Sequence, residues 1–254
     1  MIELAGKVAV VTGGSRGIGA ATVHLFAAAG AHVVFSYHRR RAAALEVARQ
    51  ARRLGVEVVP VRADLSRVAE ARALVRRATS RFGRLDILVA NAGIWNAEDA
   101  PIEKLSERDW DRMMDVNLKS VYGVTRFAVP VMKRRRSGRI IAVSSTAGQR
   151  GEAFHTHYAA TKGAIISFVK GLSTELAPWN ILVNCVAPGW VDTEMSRPVL
   201  ARRTSRHWVE GQIPLRRVAT AQEIAGPILF LASGLATFMT GEIVNVNGGA
   251  VLVG

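Results

Sequence analysis

The sequence of 254 residues predicts an α/β fold: one Rossmann-type domain in which a doubly wound parallel sheet of about seven strands carries helices on both faces. Three observations predict it. Short, almost wholly apolar runs rich in Val and Ile recur along the chain, helix-period segments separate them, and a glycine cluster stands directly after the first run. A strand that is apolar on both sides must be covered on both faces, and the connecting helices supply that cover through right-handed crossovers.

Taken in order, the strands are expected at 8–11, 33–35, 58–61, 87–89, 140–143, 182–186 and 243–246. Helices are expected near 17–29, 42–54, 67–82, 107–136, 158–176 and 221–232. No internal repeat, low-complexity tract or Pro/Ser linker interrupts this rhythm, so residues 1–254 read as a single domain. The segment at about 190–212 has no clear strand and contains Trp190, Met195, Pro198 and Trp208. A loop of that length in a compact domain reads as a lid over a substrate site. The tail Asn245-Val246-Asn247-Gly248-Gly249 turns sharply after the last strand and is expected near a subunit contact.

Composition bounds the function classes. Thirty-four Lys and Arg against 20 Asp and Glu give a net charge of +14, a balance that favours acidic partners. Arg39 to Arg41, then Arg49, Arg52 and Arg53, then Arg72, Arg76 and Arg77 are spaced to lie on the wet faces of helices. No recognition motif accompanies them, so a specific nucleic-acid site is not expected. Cys185 is the only cysteine, which excludes an intrachain disulfide and fits a reducing compartment. The apolar run after Lys7 is too short for a signal-peptide core, and no stretch is long enough to span a bilayer. A cytoplasmic protein without a membrane partner is the expectation.

The first strand runs into Thr12-Gly13-Gly14-Ser15-Arg16-Gly17-Ile18-Gly19 and a helix follows. Glycines between a strand and a helix let the backbone approach a pyrophosphate, and the helix N-terminus offers free N–H groups and a partial positive charge. This arrangement suits the pyrophosphate of a dinucleotide. An acid after the second strand would bind the ribose 2′-hydroxyl of NAD and repel the 2′-phosphate of NADP. The sequence there is Phe35-Ser36-Tyr37-His38-Arg39-Arg40, and no acid follows until Glu46. Guanidiniums at Arg39 and Arg16 suit a phosphate, so NADP(H) is expected. NAD(H) stays open, because Arg39 and Arg40 also fit the first turn of a solvated helix.

Tyr158 and Lys162 stand four apart and share a helix face. A free tyrosine, with a pKa of about 10, is a poor base at neutral pH. An ammonium beside it is expected to favour the phenolate and fit the group for proton transfer. Ser145, at a strand end, is placed to donate a hydrogen bond to a reacting oxygen. Asn117, inside the long helix, reads either as a packing residue or as the holder of a water linking Lys162 to solvent. No His, Cys and carboxylate cluster suggests a metal.

Together, Thr12-Gly13-x-x-x-Gly17-x-Gly19, Asp64-Leu65, Asn91-Ala92-Gly93, Asn117, Ser145, Tyr158-x-x-x-Lys162 and Pro188-Gly189 with Thr193 resemble the short-chain dehydrogenase/reductase family over nearly the whole chain. The resemblance implies a homotetramer and a catalytic set of Asn117, Ser145, Tyr158 and Lys162. It implies that Asp64 meets adenine, Asn91-Ala92-Gly93 lines the cofactor cleft, Thr193 meets the carboxamide and Lys162 holds the nicotinamide ribose. The cofactor set is then Gly13, Ser15, Arg16, Gly17, Ile18, Gly19, Tyr37, His38, Arg39, Asp64, Leu65, Asn91, Ala92, Gly93, Pro188, Gly189, Val191 and Thr193, with Tyr158 and Lys162. Trp95, Gln149, His155, Trp190 and Met195 are expected to form the substrate pocket.

Within that family the stretch from Ile213-Pro214-Leu215 to Asn247-Gly248-Gly249 is similar to 3-oxoacyl carrier-protein reductases of fatty acid biosynthesis and to the related glucose, polyol and alcohol dehydrogenases. A carbonyl reductase of that type, taking an acyl thioester, is therefore expected. Sugar, polyol or secondary-alcohol dehydrogenases are the alternative, and a non-catalytic dinucleotide- or polyanion-binding protein is the distant one. Arg136 fits the basic position expected to dock an acidic carrier protein, whereas Trp179 stands where a second basic residue is expected. The run Lys133 to Arg136 fits equally a helix C-terminus stabilised by cations. Enoyl reductases space their tyrosine and lysine more widely than the four residues here.

Overall fold

The structure is a computed structural model and describes residues 2–253. All the expected strands form: β1 (Val8–Val11), β2 (His32–Tyr37), β3 (Val58–Arg62), β4 (Ile87–Ala90), β5 (Gly138–Val143), β6 (Ile181–Pro188) and β7 (Ile243–Val246). They make one parallel sheet in the order β3-β2-β1-β4-β5-β6-β7. The helices are α1 (Gly17–Ala28), α2 (Arg41–Arg52), α3 (Val68–Phe82), α4 (Glu107–Met113), α5 (Ser120–Arg135), α6 (Ala147–Arg150), α7 (Thr156–Leu176), α8 (Arg197–Leu200), α9 (Arg203–Gly211) and α10 (Ala221–Ala232).

Successive strand residues point to opposite faces, and β1 shows why its run is wholly apolar. Ala9 and Val11 pack with Phe26 of α1, Val47 of α2 and Ile228 of α10. Val8 and Val10 pack with Leu74 of α3, Met132 of α5 and Ile165 of α7. Two cores, one on each face, therefore exclude water from both sides of the sheet. The strand order reverses between β1 and β4, so connections leave in opposite directions and open a crevice at the carboxyl ends of these strands.

Two expectations change. The continuous helix expected over 107–136 is interrupted: a π-helical segment, Met114–Lys119, separates α4 from α5. The segment 190–212 contains the two short helices α8 and α9 rather than an open loop, and Val191 makes a single bridge to Ala219. Leu200, Val209, Ile213 and Val218 give it a small core of its own, with Trp190 and Val199 packed against them. The tail does turn sharply, with φ of 65° at Gly248 and 87° at Gly249, and Leu215 N–H donates to the Gly248 carbonyl at 3.2 Å within the same chain. Among the described residues no helix is long and apolar enough to cross a membrane.

Candidate active site

The turn between β1 and α1 is tied down before any ligand is considered. Gly13 N–H donates to Ser36 Oγ at 3.1 Å and Gly14 N–H to the Ser36 carbonyl at 2.9 Å. Thr12 Oγ1 accepts from the N–H groups of Asn91 (2.9 Å) and Ala92 (2.8 Å), which joins the ends of β1 and β4. A side chain at Gly19 would run into the Gly13 carbonyl, and Gly17 has a φ of 52°, in the left-handed region. No side chain caps α1 and no acid stands in its first turn. Its first N–H groups remain available to an anion, where the helix dipole also favours negative charge.

A cleft of about 1130 Å³ opens above this turn and runs along the carboxyl ends of the strands to α7. Every residue of the expected cofactor set lines it, as do Ser145, Trp95, Trp190 and Met195. Asn117, Gln149 and His155 do not. At one end of the cleft, burial opposes ionisation of Asp64, but hydrogen bonds from Ser66 N–H (3.2 Å) and Oγ (2.7 Å) outweigh it and hold the carboxyl below its usual range.

The same end holds a carboxylate that sequence spacing did not offer. Glu46 is turned to the wet face of α2 by Arg49 (2.5 Å) and Gln50 (2.6 Å). Glu194 arrives instead from beyond β6, pairing with Arg16 at 2.9 Å and with Arg40 at 3.6 Å. No local pattern could signal this contact, since Arg16 and Glu194 lie 178 positions apart. Arg39 lines the cleft and makes no ion pair among the described residues.

On α7, Lys162 Nζ lies 5.7 Å from the centre of the Tyr158 ring and donates to the Val143 carbonyl at 2.9 Å. Ser145 Oγ accepts from Ala147 N–H at 3.1 Å, which leaves its proton free to donate. In the protein alone, burial works against the expected acidification of the phenol. Burial pushes Tyr158 up to about 12; the Ser145 hydrogen bond partly offsets this, and the Glu152 charge adds to it. Burial also pulls Lys162 down to about 8. Desolvation is the largest cause for both groups because each sits almost wholly out of water.

Of the two readings of Asn117, its side-chain contacts favour the packing one. It is fully buried, its Oδ1 accepts from Ile94 N–H at 2.7 Å, and its Nδ2 contacts the Ile94 carbonyl (3.0 Å), Met113 Sδ (3.0 Å) and Thr161 Oγ1 (3.3 Å). The amide offered to a water is spent on protein. It clamps the loop following Asn91-Ala92-Gly93 to the π-helical segment, as a packing residue would.

The comparisons agree with this geometry. Residues 13–251 match the sequence model of the family described as Enoyl-(Acyl carrier protein) reductase. The chain belongs to the short-chain dehydrogenase/reductase family. It is 39% identical over 246 residues to 3-oxoacyl-(acyl-carrier-protein) reductase FabG of Chlamydia muridarum, covering 97% of this chain and 98% of that protein. It is 39% identical over 253 residues to Nodulation protein G of Rhizobium sp. (strain N33), covering 100% of both. The crystal structure of gox2181 matches with a TM-score of 0.93 at 31% identity, covering 98% of this chain and 96% of that one.

In this short-chain dehydrogenase/reductase the mouth beside Tyr158 is aromatic. Trp95 meets Trp190 edge-on at 5.8 Å and stacks on His155 at 5.0 Å. His155 therefore backs Trp95 instead of lining the pocket, and its Nδ1 contacts the Ala153 carbonyl at 3.2 Å. Gln149 is also corrected, because its Nε2 donates to Asn245 Oδ1 at 2.6 Å, away from the cleft. Arg150 and Glu152 do line it and were missed, since nothing in their spacing marks them. Burial raises Glu152 above the usual carboxylate range, with His155 and Arg150 pulling the other way.

Proposed function

We propose that this chain is an NADP(H)-dependent carbonyl reductase acting on 3-oxoacyl thioesters. One observation carries the reading: a proton-bearing phenol, Tyr158, stands beside Ser145 and Lys162 in a cleft that begins at an uncapped glycine turn. The turn fits a dinucleotide, because Gly17 and Gly19 let it pack tightly against its neighbours and the α1 N–H groups are free to receive a pyrophosphate. Arg16, Arg39 and Arg40 line the adenosine end, which supports the 2′-phosphorylated form.

Bound NADPH supplies the hydride. Ser145 donates a hydrogen bond to the substrate carbonyl oxygen, where negative charge grows as the carbon is reduced. Tyr158 gives its proton to that oxygen, so carbonyl, hydride and proton balance to an alcohol. A phenol kept protonated at neutral pH suits this direction. Lys162 lies close enough to stabilise the phenolate left behind, and its ammonium is held by the Val143 carbonyl. Asn117 acts as a positioning residue through Ile94. Ile94, Trp95 and Trp190 offer an apolar wall to an acyl chain, and residues 190–212 serve as its lid.

The names of the full-length relatives support a carrier-protein thioester as substrate. Lys133 and Arg136 both lie over the Trp179 ring, at 5.0 and 5.5 Å, and form a compact basic surface for an acidic carrier. We place the enzyme in the cytoplasm as a homotetramer, in keeping with its single buried cysteine and its family. The test is a panel of initial rates with NADPH and NADH against acetoacetyl thioesters, diketones and aldehydes, and with the oxidised cofactors against sugars and polyols. Thioester reduction should favour NADPH by about tenfold or more in kcat/KM, the scale of a charge-assisted phosphate contact. Oxidation of sugars with no thioester reduction would overturn the substrate reading.

A further inference from the structure

Two guanidiniums from different elements converge on one carboxylate at the adenosine end of the cleft. Arg16 belongs to the glycine turn, Arg40 precedes α2, and both reach Glu194 of the segment that follows β6. That segment is a formed turn. Ser196 Oγ accepts from Thr193 N–H at 3.2 Å and donates to the Val191 carbonyl at 2.5 Å. Its Thr193 Cγ2 lies 3.3 Å from where a side chain on Gly17 would begin, so the strap rests directly on the phosphate turn. The neighbouring acid Asp192 faces the other way, toward Arg206 at 3.4 Å. Glu194 alone of the two carries its charge into the arginine pair.

We propose that Glu194 holds the place of the cofactor's 2′-phosphate, so that a 2′-phosphorylated dinucleotide must displace it and thereby unlatch the strap at 193–201. The inference rests on the NADP(H) reading above. A phosphate monoester brings more charge and more acceptor oxygens than a carboxylate, and it takes bidentate guanidinium contacts at least as well. The two anions cannot share Arg16 and Arg40 without facing each other as like charges. A dinucleotide without the 2′-phosphate leaves the pairs with Glu194 intact. Glu194 thus becomes a latch residue: only the phosphorylated cofactor displaces it, at some cost in that cofactor's affinity, and the displacement is coupled to motion of the segment next to the substrate mouth.

Glu194→Gln tests this with adenosine 2′,5′-bisphosphate and 5′-AMP as probes, titrated by calorimetry against both proteins. The side chain is partly exposed and the change is isosteric, so the fold is retained. Because exposed ion pairs are individually weak, the bisphosphate should bind about 3- to 10-fold tighter to the variant while 5′-AMP changes by less than about twofold. In the parent protein the bisphosphate, and not 5′-AMP, should speed amide hydrogen exchange over 193–201. If the parent prefers the bisphosphate and the variant binds it no tighter, the latch is refuted and the cofactor reading stands. If neither protein prefers the bisphosphate, the cofactor reading fails and the latch with it. Unchanged exchange over 193–201 would remove the coupling to the strap.

Discussion

Burial is the largest influence on the protonation of the two side chains to which the proposed chemistry is assigned. Tyr158 is pushed up to about 12 and Lys162 down to about 8, each chiefly by loss of water. Tyr158→Phe keeps the ring packed among Met113, Ala147 and Trp95 but removes the proton. Its kcat should fall by roughly 10²- to 10⁴-fold. The dissociation constant for NADPH, read by fluorescence titration, should move less than about twofold, because the ring stays in place and most of the expected cofactor contacts lie elsewhere in the cleft. Lys162 gives a pH signature. Below about 8 both folded and unfolded chains carry its proton, and the buried ammonium opposes folding. Between about 8 and the ordinary 10.5 the unfolded chain holds a proton that the folded chain has shed, so stability rises with pH. Urea unfolding should therefore show Lys162→Met gaining most over the parent near neutral pH, with the gap narrowing toward about pH 10. A gap that widens would contradict the lowered lysine.

Among the elements, the π-helical segment Met114–Lys119 does most to shape the site. It presents Asn117 inward, where the amide satisfies both the N–H and the carbonyl of Ile94. Asn117→Ala leaves those buried backbone groups without partners and should cost about 2–3 kcal/mol, measured by chemical denaturation. A loss under about 0.5 kcal/mol would mean that the clamp carries little. The π turn was invisible in the sequence, because apolar spacing across 107–136 reads the same to within one residue. The strands were legible for the opposite reason. Strands such as β1 and β6 are buried along their whole length, so their composition alone marks them.

Across the whole molecule, charge and topology meet at one place. The reversal between β1 and β4 opens the crevice, and Arg16, Arg39 and Arg40 concentrate positive charge at its adenosine end. Arg39 has no internal ion pair among the described residues, so reversing its sign should act chiefly on the incoming phosphate. Arg39→Asp is expected to weaken NADPH by roughly tenfold or more and NADH hardly at all, in paired binding titrations. Equal losses on both would show that the phosphate is read elsewhere.

The sequence by itself determined the layered architecture and the glycine turn and brought Ser145, Tyr158 and Lys162 forward, while its resemblance to the family supplied most of the other residues that line the cleft. The architecture and the turn rest on local spacing and on apolar runs, which depend on near neighbours in the chain. Only the tertiary structure decided that Glu194 meets Arg16, that Gln149 turns to Asn245, that His155 backs Trp95 and that burial raises the phenol. Each of these depends on distant segments sharing one desolvated space, and neither distance nor water is written in residue order.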